Sequence, residues 1–459
     1  MTAGALTESK EGMIGENFRS WLAAWEKNGW LTRIRKPVNP QYVLGAITKK
    51  LEKERSPFFQ QVSGYSIPLA TNFCFSRKAL AAALDMAEGD LVPNFRKAMQ
   101  KPCPCEVVGR APFQENVLTQ NLNPLRIFPV PTYHERDAGP YITGGVLIAK
   151  DPETGVRNAS IHRLRVFHDD VLGLLILPRH LNLCLQKCLQ MNRPLEVAVA
   201  VGVDPFTLLA SQAILPFGVD ELEVANALRP SAPLKLARCV SVDLEVPADS
   251  EIVFEGIIDP AQTRVEGPFG EFPRYYSPEA PRPILKLKAI SFRKDPIFYS
   301  ILPASREHLL LGAIPREASI LTDVQRAVPS VRAVHLPYGG TCRYHLVISL
   351  VKQNEGEARM AMLAAMANNA DIKHVVVVDE DIDIFDMEQV EWAMATRFQG
   401  DRDLLVIPRT QSSPLDPSSS EGVGTKLGLD ATAPLGSLHK EFKPISIPGY
   451  PEIDLEEYL

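Results

Sequence analysis

The sequence predicts a mixed α/β protein with three consecutive parts. Apolar residues recur at helical spacing near the start, and short β-branched segments separated by turns dominate the middle. Towards the end, helical patterns alternate with apolar strands. We therefore predict domains at residues 1–120, 121–303 and 304–459, since a chain of 459 residues is long enough for separate cores.

The first part begins with a predicted helix. Phe18, Trp21, Leu22 and Trp25 fall on one helical face, and Asn28-Gly29 ends the helix. The elements that follow are an extended segment at 31–37, a helix at 42–54, strand-like segments at 58–72 and a helix at 76–86. Residues 102–140 are rich in proline and turn formers, which places the first boundary there.

The middle part contains regularly spaced strands, which predicts a barrel or a sandwich. The predicted strands lie at 142–148, 159–167, 172–177, 195–203, 236–244, 252–258 and 284–290. Two helices, at 180–189 and 221–228, interrupt this pattern.

The last part alternates helices with buried strands, which predicts a parallel α/β layer. Helices are expected at 316–327, 356–368 and 387–396, and strands at 344–351 and 375–378. The acidic segment at 379–386 is either a ligand site at a strand's carboxyl end or a capped loop, and the loop is favoured because no histidine lies among its acids. The segment 411–421, rich in serine and proline, is predicted to be a flexible loop or linker.

Composition excludes several classes of protein. Hydrophobic residues make up 45%, charged residues make up 23%, and the net charge is −6 without a basic run, so no nucleic-acid partner is expected. The polar start at 1–17 and the lack of long apolar stretches predict neither export nor membrane insertion. Seven cysteines without a CxxC pair favour a reducing cytoplasm. Cys184 and Cys188 are predicted core residues, and Cys103-Pro-Cys105 a loop with two buried thiols.

The hexapeptide Glu266-Gly-Pro-Phe-Gly-Glu271 fixes two carboxylates at the ends of a rigid bend. Gly267 and Gly270 allow positive φ or close approach, and Pro268 presets φ. Carboxylates held close together are typical of acid–base chemistry, although a surface turn with two solvated glutamates is the simpler interpretation of this motif alone.

Asn158, His180 and Glu221 have the chemistry of a hard-cation site. Amide oxygen, imidazole and carboxylate suit Mn²⁺ or Mg²⁺ better than zinc, although distance along the sequence does not prove contact. Arg163 follows Asn158 by five residues on the same predicted strand. Because residues five apart on a strand face opposite ways, a bulge or bend is needed to bring both to one site.

These motifs occur in the order Asn158-Ala-Ser-Ile-His-Arg163, His180, Glu221, Glu266-Gly-Pro-Phe-Gly-Glu271. In this order the chain resembles the UbiD family of decarboxylases. The resemblance extends through Pro131–Thr143 to Gly424–Thr432 and covers nearly the whole chain.

The resemblance implies a flavin-reductase-like split β-barrel in the middle, between an N-terminal α/β piece and a C-terminal α/β domain with dimer contacts. It implies prenylated FMN, made by a flavin prenyltransferase, together with Mn²⁺ (or Mg²⁺) on Asn158, His180 and Glu221 and a K⁺ ion nearby. It also implies a homo-oligomer, either a dimer or a hexamer. The implied cofactor-binding residues are Asn158, Ser160, Ile161, His162, Arg163, Arg179, His180, Ser211, Glu221 and Lys426, of which Lys426 would reach the phosphate. His162 would contact flavin or substrate, or only pack.

The implied reaction is a reversible, non-oxidative decarboxylation of an aromatic, heteroaromatic or α,β-unsaturated carboxylic acid that releases CO₂. Loss of CO₂ from an sp² carbon needs an electron sink that no side chain offers, so a cofactor must supply one. Glu271 would donate the proton that replaces CO₂, and Arg163 would bind a carboxylate and pair with Glu266. His308 would meet a polar group of the substrate. The alternatives are a flavin-binding subunit of a larger carboxylase complex and an FMN reductase.

Overall fold

The computed structural model describes residues 17–84, 86–229, 232–420, 422–438, 440–450 and 453–459. The polar start, at 1–16, and single positions of the predicted segments 76–86 and 411–421 lie outside these ranges. None of the described helices combines the length and apolar character needed to cross a membrane. The architecture is mixed α/β, as predicted.

The N-terminal part packs four helices around short strands. Asn17 caps the first helix by accepting a hydrogen bond from the Ser20 amide, and Trp21 and Trp25 are buried, which confirms the predicted amphipathic helix. Its elements are α1 (Phe18–Lys27), β1 (Leu31–Ile34), α2 (Val43–Leu51), β2 (Ser56–Phe59), β3 (Leu69–Ala70), α3 (Arg77–Ala83) and α4 (Leu91–Gln100).

The central part is built on one large, mainly antiparallel sheet. Its strands are β4 (Glu106–Val108), β5 (Asn116–Leu118), β6 (Tyr141–Ile142), β7 (Gly145–Lys150), β8 (Arg157–Ile161), β9 (Leu164–Val166), β10 (Val171–Leu174), β11 (Leu195–Val201), β12 (Lys235–Arg238), β13 (Glu245–Pro247), β14 (Ile252–Glu266), β15 (Phe269–Gly270), β16 (Tyr276–Ser277), β17 (Ala280–Phe292) and β18 (Phe298–Tyr299). Its helices are α5 (His180–Gln190), α6 (Pro205–Ala210) and α7 (Glu221–Ala227).

The large sheet has the order β6-β9-β10-β17-β14-β11-β7-β8, with β5 paired to β17. β14 and β17 run antiparallel along most of their length and are longer than the sequence pattern indicated. The segment predicted as one strand at 236–244 belongs to a separate sheet of order β13-β12-β4. It ends early because the Cys239 amide donates to the Leu244 carbonyl and turns the chain back into β13.

The C-terminal part is an α/β layer with sheet order β19-β20-β21-β23-β22, in which β20, β21 and β23 are parallel. Its elements are α8 (Arg306–Ala327), β19 (Val331–His335), β20 (His345–Leu350), α9 (Glu357–Asn368), β21 (His374–Asp379), α10 (Met387–Arg397), β22 (Leu404–Gln411) and β23 (Val423–Ala431). The predicted helix at 316–327 begins ten residues earlier, because Ser305 caps α8 by accepting from the His308 amide.

Two predictions about loops are decided by contacts. The acidic segment after β21 is structural, since Arg397 binds Asp379 and Asp381 while Asp386 caps α10. The segment after β22 is not an interdomain linker, because it joins two neighbouring strands of one sheet. Among the cysteines, Cys184 and Cys188 are buried as predicted, whereas Cys103 is exposed and the prediction of two buried thiols is wrong.

Candidate active site

A cavity of about 700 Å³ lies between the central sheet, α8 and the C-terminal layer. Most of the site residues predicted from the sequence line it, although they come from distant parts of the chain. These residues are Asn158, Ser160, Ile161, His162, Arg163, Arg179, His180, Ser211, Glu221, Glu271 and His308. Glu266 and Lys426 lie behind the wall rather than on it.

Arg163 lies in the two-residue gap between β8 and β9, where the chain leaves the strand geometry. This break provides the bend that the spacing from Asn158 requires. The Arg163 guanidinium holds Glu266 with two hydrogen bonds, Nε to Oε1 at 3.1 Å and Nη2 to Oε2 at 2.8 Å. Its Nη1 atom donates to Glu271 and, at 3.0 Å, to Ser277 Oγ. One arginine therefore orients both carboxylates of the hexapeptide.

The environment of Glu266 fixes this carboxylate further. Glu266 is the last residue of β14 and is fully buried, and the Tyr141 hydroxyl donates to its Oε1 atom at 3.0 Å. The Phe269 ring lies 4.8 Å below the Arg163 guanidinium. The cost of burying an ion pair is offset when its remaining donors and acceptors form hydrogen bonds, as they do around Arg163 and Glu266.

The two glycines of the bend, Gly267 and Gly270, are required for different reasons. Gly267 has φ of +93°, a conformation that side chains rarely adopt. Gly270 does not have positive φ, but a Cβ atom there would lie 2.5 Å from His134 Nδ1. The Gly270 amide donates to Asp137 Oδ1 at 2.9 Å. The bend is thus pinned against 134–137, and this contact sets where Glu271 enters the cavity.

Asn158, His180 and Glu221 come together around the Glu221 carboxylate. The Asn158 amide lies 3.0 Å from Oε1, His180 Nδ1 lies 3.7 Å from the same atom, and the Ala159 amide donates to Oε2 at 2.8 Å. Burial raises the pKa of Glu221, and the hydrogen bonds from His180 and Ala159 oppose this effect. No lysine or arginine among the described residues forms an ion pair with Glu221. A buried carboxylate beside an imidazole and an amide is a donor set that fits a hard cation.

Two of the three histidines that line the cavity, His162 and His308, are fixed in different tautomers. His162 Nδ1 lies 3.1 Å from the Leu175 carbonyl and therefore carries the proton, so Nε2 accepts from Ser160 Oγ at 3.0 Å. Burial lowers the pKa of His162. In His308 the proton is on the other ring nitrogen, because its Nδ1 atom accepts from the Ala304 amide at 3.0 Å. Burial, with nearby arginines, lowers the pKa of His308 to about 3, so the ring is neutral and Nε2 is a donor.

Lys426 supports the cavity from outside. Its Nζ atom donates to the carbonyls of Asn369, Ala370 and Ile372 at 3.1, 3.1 and 2.6 Å, which uses all three ammonium protons. Burial lowers the pKa of Lys426. The loop that it holds contains Asp371, whose carboxylate faces Arg179 at 3.7 Å.

The remaining predicted residues, Arg179 and Ser211, differ in exposure. Arg179, directly before α5, is 57% exposed at the side chain. Ser211 follows α6 and is buried, and its hydroxyl donates to the Leu208 carbonyl at 2.7 Å. Both line the cavity.

Sequence reasoning missed a pair of arginines in the wall. Arg316 and Arg343 are only 4% and 7% exposed, and neither forms an ion pair with a described carboxylate within 4 Å. A Cβ atom on Gly312 would lie 2.9 Å from Arg316 Nη1 and from Arg343 Nη2, so both guanidinium groups converge over this glycine. Burial lowers the pKa of both arginines, with repulsion from Arg343 and Arg179 at Arg316 and from Arg179 at Arg343, while the Asp371 carboxylate opposes this effect at both. Their separation in sequence carries no pattern, so only the tertiary structure reveals the pair.

Three family models match the chain. They describe the N-terminal, Rift-related and C-terminal domains of 3-octaprenyl-4-hydroxybenzoate carboxy-lyase and match residues 22–99, 106–306 and 309–431. A curated relative, anhydromevalonate phosphate decarboxylase of Methanothermobacter thermautotrophicus, is 42% identical over 82% of this chain and 87% of its own length.

Solved structures show the same fold. HmfF, a UbiD-class enzyme from Pelotomaculum thermopropionicum solved in complex with FMN, has a TM-score of 0.94 and 49% identity over 97% of this chain and 100% of that one. An evolved dimeric form of HmfF in complex with prFMN has a TM-score of 0.91 and 47% identity over the same shares. The 3,4-dihydroxybenzoic acid decarboxylase AroY of Klebsiella pneumoniae has a TM-score of 0.89 and 28% identity over 96% of this chain and 98% of its own.

Proposed function

Because the chain belongs to the UbiD family and is a carboxy-lyase, we propose that it catalyses reversible, non-oxidative decarboxylation of an aromatic, heteroaromatic or α,β-unsaturated carboxylic acid with prenylated FMN. The observation that carries the proposal is the buried group of Arg163, Glu266 and Glu271 at the wall of a large cavity. A general acid within reach of the cavity, oriented by a cation that stays charged, is what replacement of CO₂ by a proton requires.

The roles of the three residues follow from their positions. Arg163, held by Glu266 on one side, has its Nη1 atom directed towards Glu271 and the cavity. Because Nε and Nη2 already bind Glu266 at two points, Arg163 is suited to hold Glu271 in place beside the acid that loses CO₂. Glu271 lies on the cavity wall and would deliver the proton to the carbon that loses CO₂. Glu266 does not reach the cavity and would act by orienting Arg163.

The cavity residues fit the implied cofactor and ions. Asn158, His180 and Glu221 would hold Mn²⁺ or Mg²⁺, because the buried Glu221 carboxylate has no cationic side chain as partner among the described residues. Ser160, Ile161 and His162 would line the flavin, Arg179 and Ser211 would lie at its rim, and a K⁺ ion would accompany the divalent ion. When bound, prenylated FMN supplies the electron sink for loss of CO₂. Lys426 would act on this site through the loop that it holds.

The arginine pair favours a substrate with a second anionic group. Arg316 Nε and Arg343 Nε and Nη1 are buried without a hydrogen-bond partner. Buried donors left unpaired cost free energy, and charged ones cost more. His308 adds a neutral N–H donor to the same wall. A second carboxylate or a phosphate on the acid would satisfy these donors together.

We also propose the finer architecture that the resemblance implies. The central sheet would be a split barrel of the flavin-reductase type, the three parts would be domains at 1–120, 121–303 and 304–459, and the chain would form a homo-oligomer through its C-terminal part. A flavin prenyltransferase would supply the cofactor. The antiparallel order of the central strands supports the barrel, and the dimeric form of the relative supports the homo-oligomer.

The test is to purify the chain anaerobically after co-expression with a flavin prenyltransferase, with Mn²⁺ and K⁺ present. The mass of the released cofactor is measured, and CO₂ release is screened with pairs of acids that differ by one further carboxylate or phosphate. Prenylated FMN together with CO₂ release supports the proposal. Unmodified FMN with NAD(P)H oxidation would favour a reductase, and bound flavin without activity until other subunits are added would favour the carboxylase-subunit alternative.

A further inference from the structure

Helix α8 carries two polar side chains that face the cavity and two buried glutamates that face away from it. His308 and Arg316 line the cavity, whereas Glu307 and Glu317 are fully buried outside it. Each cavity residue is the chain neighbour of one glutamate. At 3.6 residues per turn, the cavity pair and the glutamate pair are centred roughly 180° apart on the helix. The helix is therefore held on one side and faces the cavity with the other.

Glu307 joins α8 to the loop after β3. Its carboxylate accepts from the backbone amides of Asn72, Phe73 and Cys74 at 2.7, 2.6 and 3.0 Å, and from the Tyr299 hydroxyl at 2.7 Å. Asn72 has φ of +62°, so the loop adopts a conformation that needs support. Burial raises the pKa of Glu307 to about 7, and the four hydrogen bonds oppose this effect. A glutamine, whose amide nitrogen only donates, cannot accept from all four donors.

Glu317 holds the next part of α8. Its carboxylate binds the Arg77 guanidinium and accepts from the Leu336 amide at 2.7 Å and from His335 Nδ1 at 3.2 Å. Burial opposes ionisation of Glu317, but Arg77 and His335 outweigh this effect and lower its pKa. The N-terminal part thus contacts α8 at two carboxylates that lie ten residues, or roughly 15 Å, apart.

The helix needs this support between the two glutamates. Pro315 lies inside α8 and cannot donate the usual hydrogen bond to the carbonyl four residues earlier. A proline within a helix permits a bend, so contacts with neighbouring parts must set the direction of the two halves. Arg316 directly follows this point, and its own Nη1 atom donates to the Gly312 carbonyl at 2.8 Å.

We propose that Glu307 and Glu317 are positioning residues that orient His308 and Arg316 towards the substrate, so that residues 72–77 of the N-terminal part take part in substrate recognition. This inference rests on the proposed function for the identity of the site. The physical reason is that a shift of α8 by a fraction of a turn would move both donors together, while leaving Arg163 and Glu271 on the central sheet in place.

The test compares Glu307→Gln with Glu255→Gln in the holoenzyme. Glu255 is the matched control, because it is also fully buried and its carboxylate accepts from the backbone amides of Val240 and Ser241, but it does not line the cavity. KM and kcat are measured with the best acid from the panel. We expect Glu307→Gln to raise KM at least roughly 10-fold with kcat within about 2-fold, since it weakens binding rather than chemistry. Glu255→Gln should leave KM unchanged.

A second readout does not depend on decarboxylation. In protein labelled with ¹⁵N-histidine, the ring nitrogens of His308 should show an unprotonated Nδ1 and a protonated Nε2 atom, with the signal assigned by its loss in His308→Asn. Glu307→Gln should average or shift this signature, and Glu255→Gln should retain it. If the chain releases no CO₂ from any acid, the proposed function fails, and the ring signal still decides this inference.

Two further variants test the same inference in case Glu307→Gln does not fold. Tyr299→Phe removes one of the four donors to Glu307 and keeps the ring, so it should raise KM in the same direction by a smaller factor. Glu317→Gln should raise KM more for an acid with a second anionic group than for its matched monoacid, because Arg316 is the affected donor. Unchanged KM values in Glu307→Gln and Glu317→Gln, with the His308 signature intact, would overturn the inference.

Discussion

Arg163 and Glu266 form a two-point ion pair in which the carboxylate is fully buried behind the cavity wall. Glu271, bound to the third nitrogen of the same guanidinium, remains on the wall itself. The two glutamates of one hexapeptide thus have different surroundings. In the proposed reaction, Glu266 would orient the arginine and Glu271 would meet the substrate.

Replacing Glu271 with glutamine should abolish proton delivery without emptying the site. We expect a loss of roughly 10²- to 10⁴-fold in kcat, the range for removal of a general acid. The measurement is CO₂ release together with solvent deuterium incorporation into the product, alongside flavin and metal content. Glu279→Gln, an exposed glutamate on the same segment, is the control. Activity of Glu271→Gln within about 2-fold of the unaltered enzyme would remove Glu271 from the mechanism.

Arg163→Lys keeps the positive charge but loses the planar fork. Since a lysine cannot bind Glu266 at two points and Glu271 at a third, we expect kcat/KM to fall roughly 100-fold, the scale of a misplaced catalytic group. Arg165→Lys changes a residue of the next strand that does not line the cavity and should have little effect. Equal rates for both variants would show that charge alone suffices at position 163.

Glu221→Gln should release the divalent ion. The variant loses the one carboxylate between Asn158 and His180, so the fall in metal affinity should exceed the roughly 10- to 100-fold that is typical of changes outside the coordination sphere. Metal content by mass spectrometry and flavin content by absorbance are the readouts. Glu223→Gln, on the same helix but outside the cavity, should retain both. Full metal content in Glu221→Gln would place the ion elsewhere.

Arg316→Gln tests the second anionic group of the substrate. A hydrogen bond to a charged group contributes about 1.5–3 kcal/mol, so KM for the doubly charged acid should rise by roughly one to two orders of magnitude. KM for the matched monoacid should change little. Arg326→Gln, whose side chain is 77% exposed on the same helix, controls for loss of charge alone. A similar rise in KM for both acids would argue against a separate anion subsite.

Gly270→Ala should lower both stability and activity. The added Cβ atom would lie 2.5 Å from the His134 ring, and overpacking of this kind costs about 1–3 kcal/mol. Thermal and denaturant unfolding give the change in free energy, and CO₂ release gives the effect of moving Glu271. Gly109→Ala, where a Cβ atom would meet nothing within 4 Å, is the matched substitution. An unchanged free energy of unfolding would mean that the His134 ring can move aside to accommodate the added methyl group.

Part of the fold and of the site could be predicted from the sequence. The hexapeptide at 266–271 and helix α1, with its apolar spacing and its end at Asn28-Gly29, depend on residues close in sequence. The shared site of Asn158, Arg163, His180 and Glu221 was implied by the order of the motifs and the family resemblance, and all four line the cavity.

Other features depend on tertiary contacts. The three backbone carbonyls that bind the Lys426 ammonium could not be foreseen, and its expected contact with the cofactor phosphate stays a prediction. Arg316 and Arg343 meet over Gly312 only because α8 packs beside the C-terminal layer. The segment at 236–244 is not one strand, because a backbone hydrogen bond from Cys239 to Leu244 turns the chain back into β13 of the same small sheet. The side-chain pattern carries no signal for this turn. Such contacts join distant parts of the chain and leave no period in the sequence.

The division between the central sheet and α8 bears on how the substrate specificity of such an enzyme could change during evolution. The residues proposed for bond breaking belong to strands and turns of the sheet, whereas His308 and Arg316 belong to one helix with its own attachments. If α8 positions the substrate as proposed, mutations in α8 or at 72–77 would alter which acids are accepted while the proton donor keeps its place. For a laboratory that seeks new substrates, this helix and its attachments are the region to diversify first.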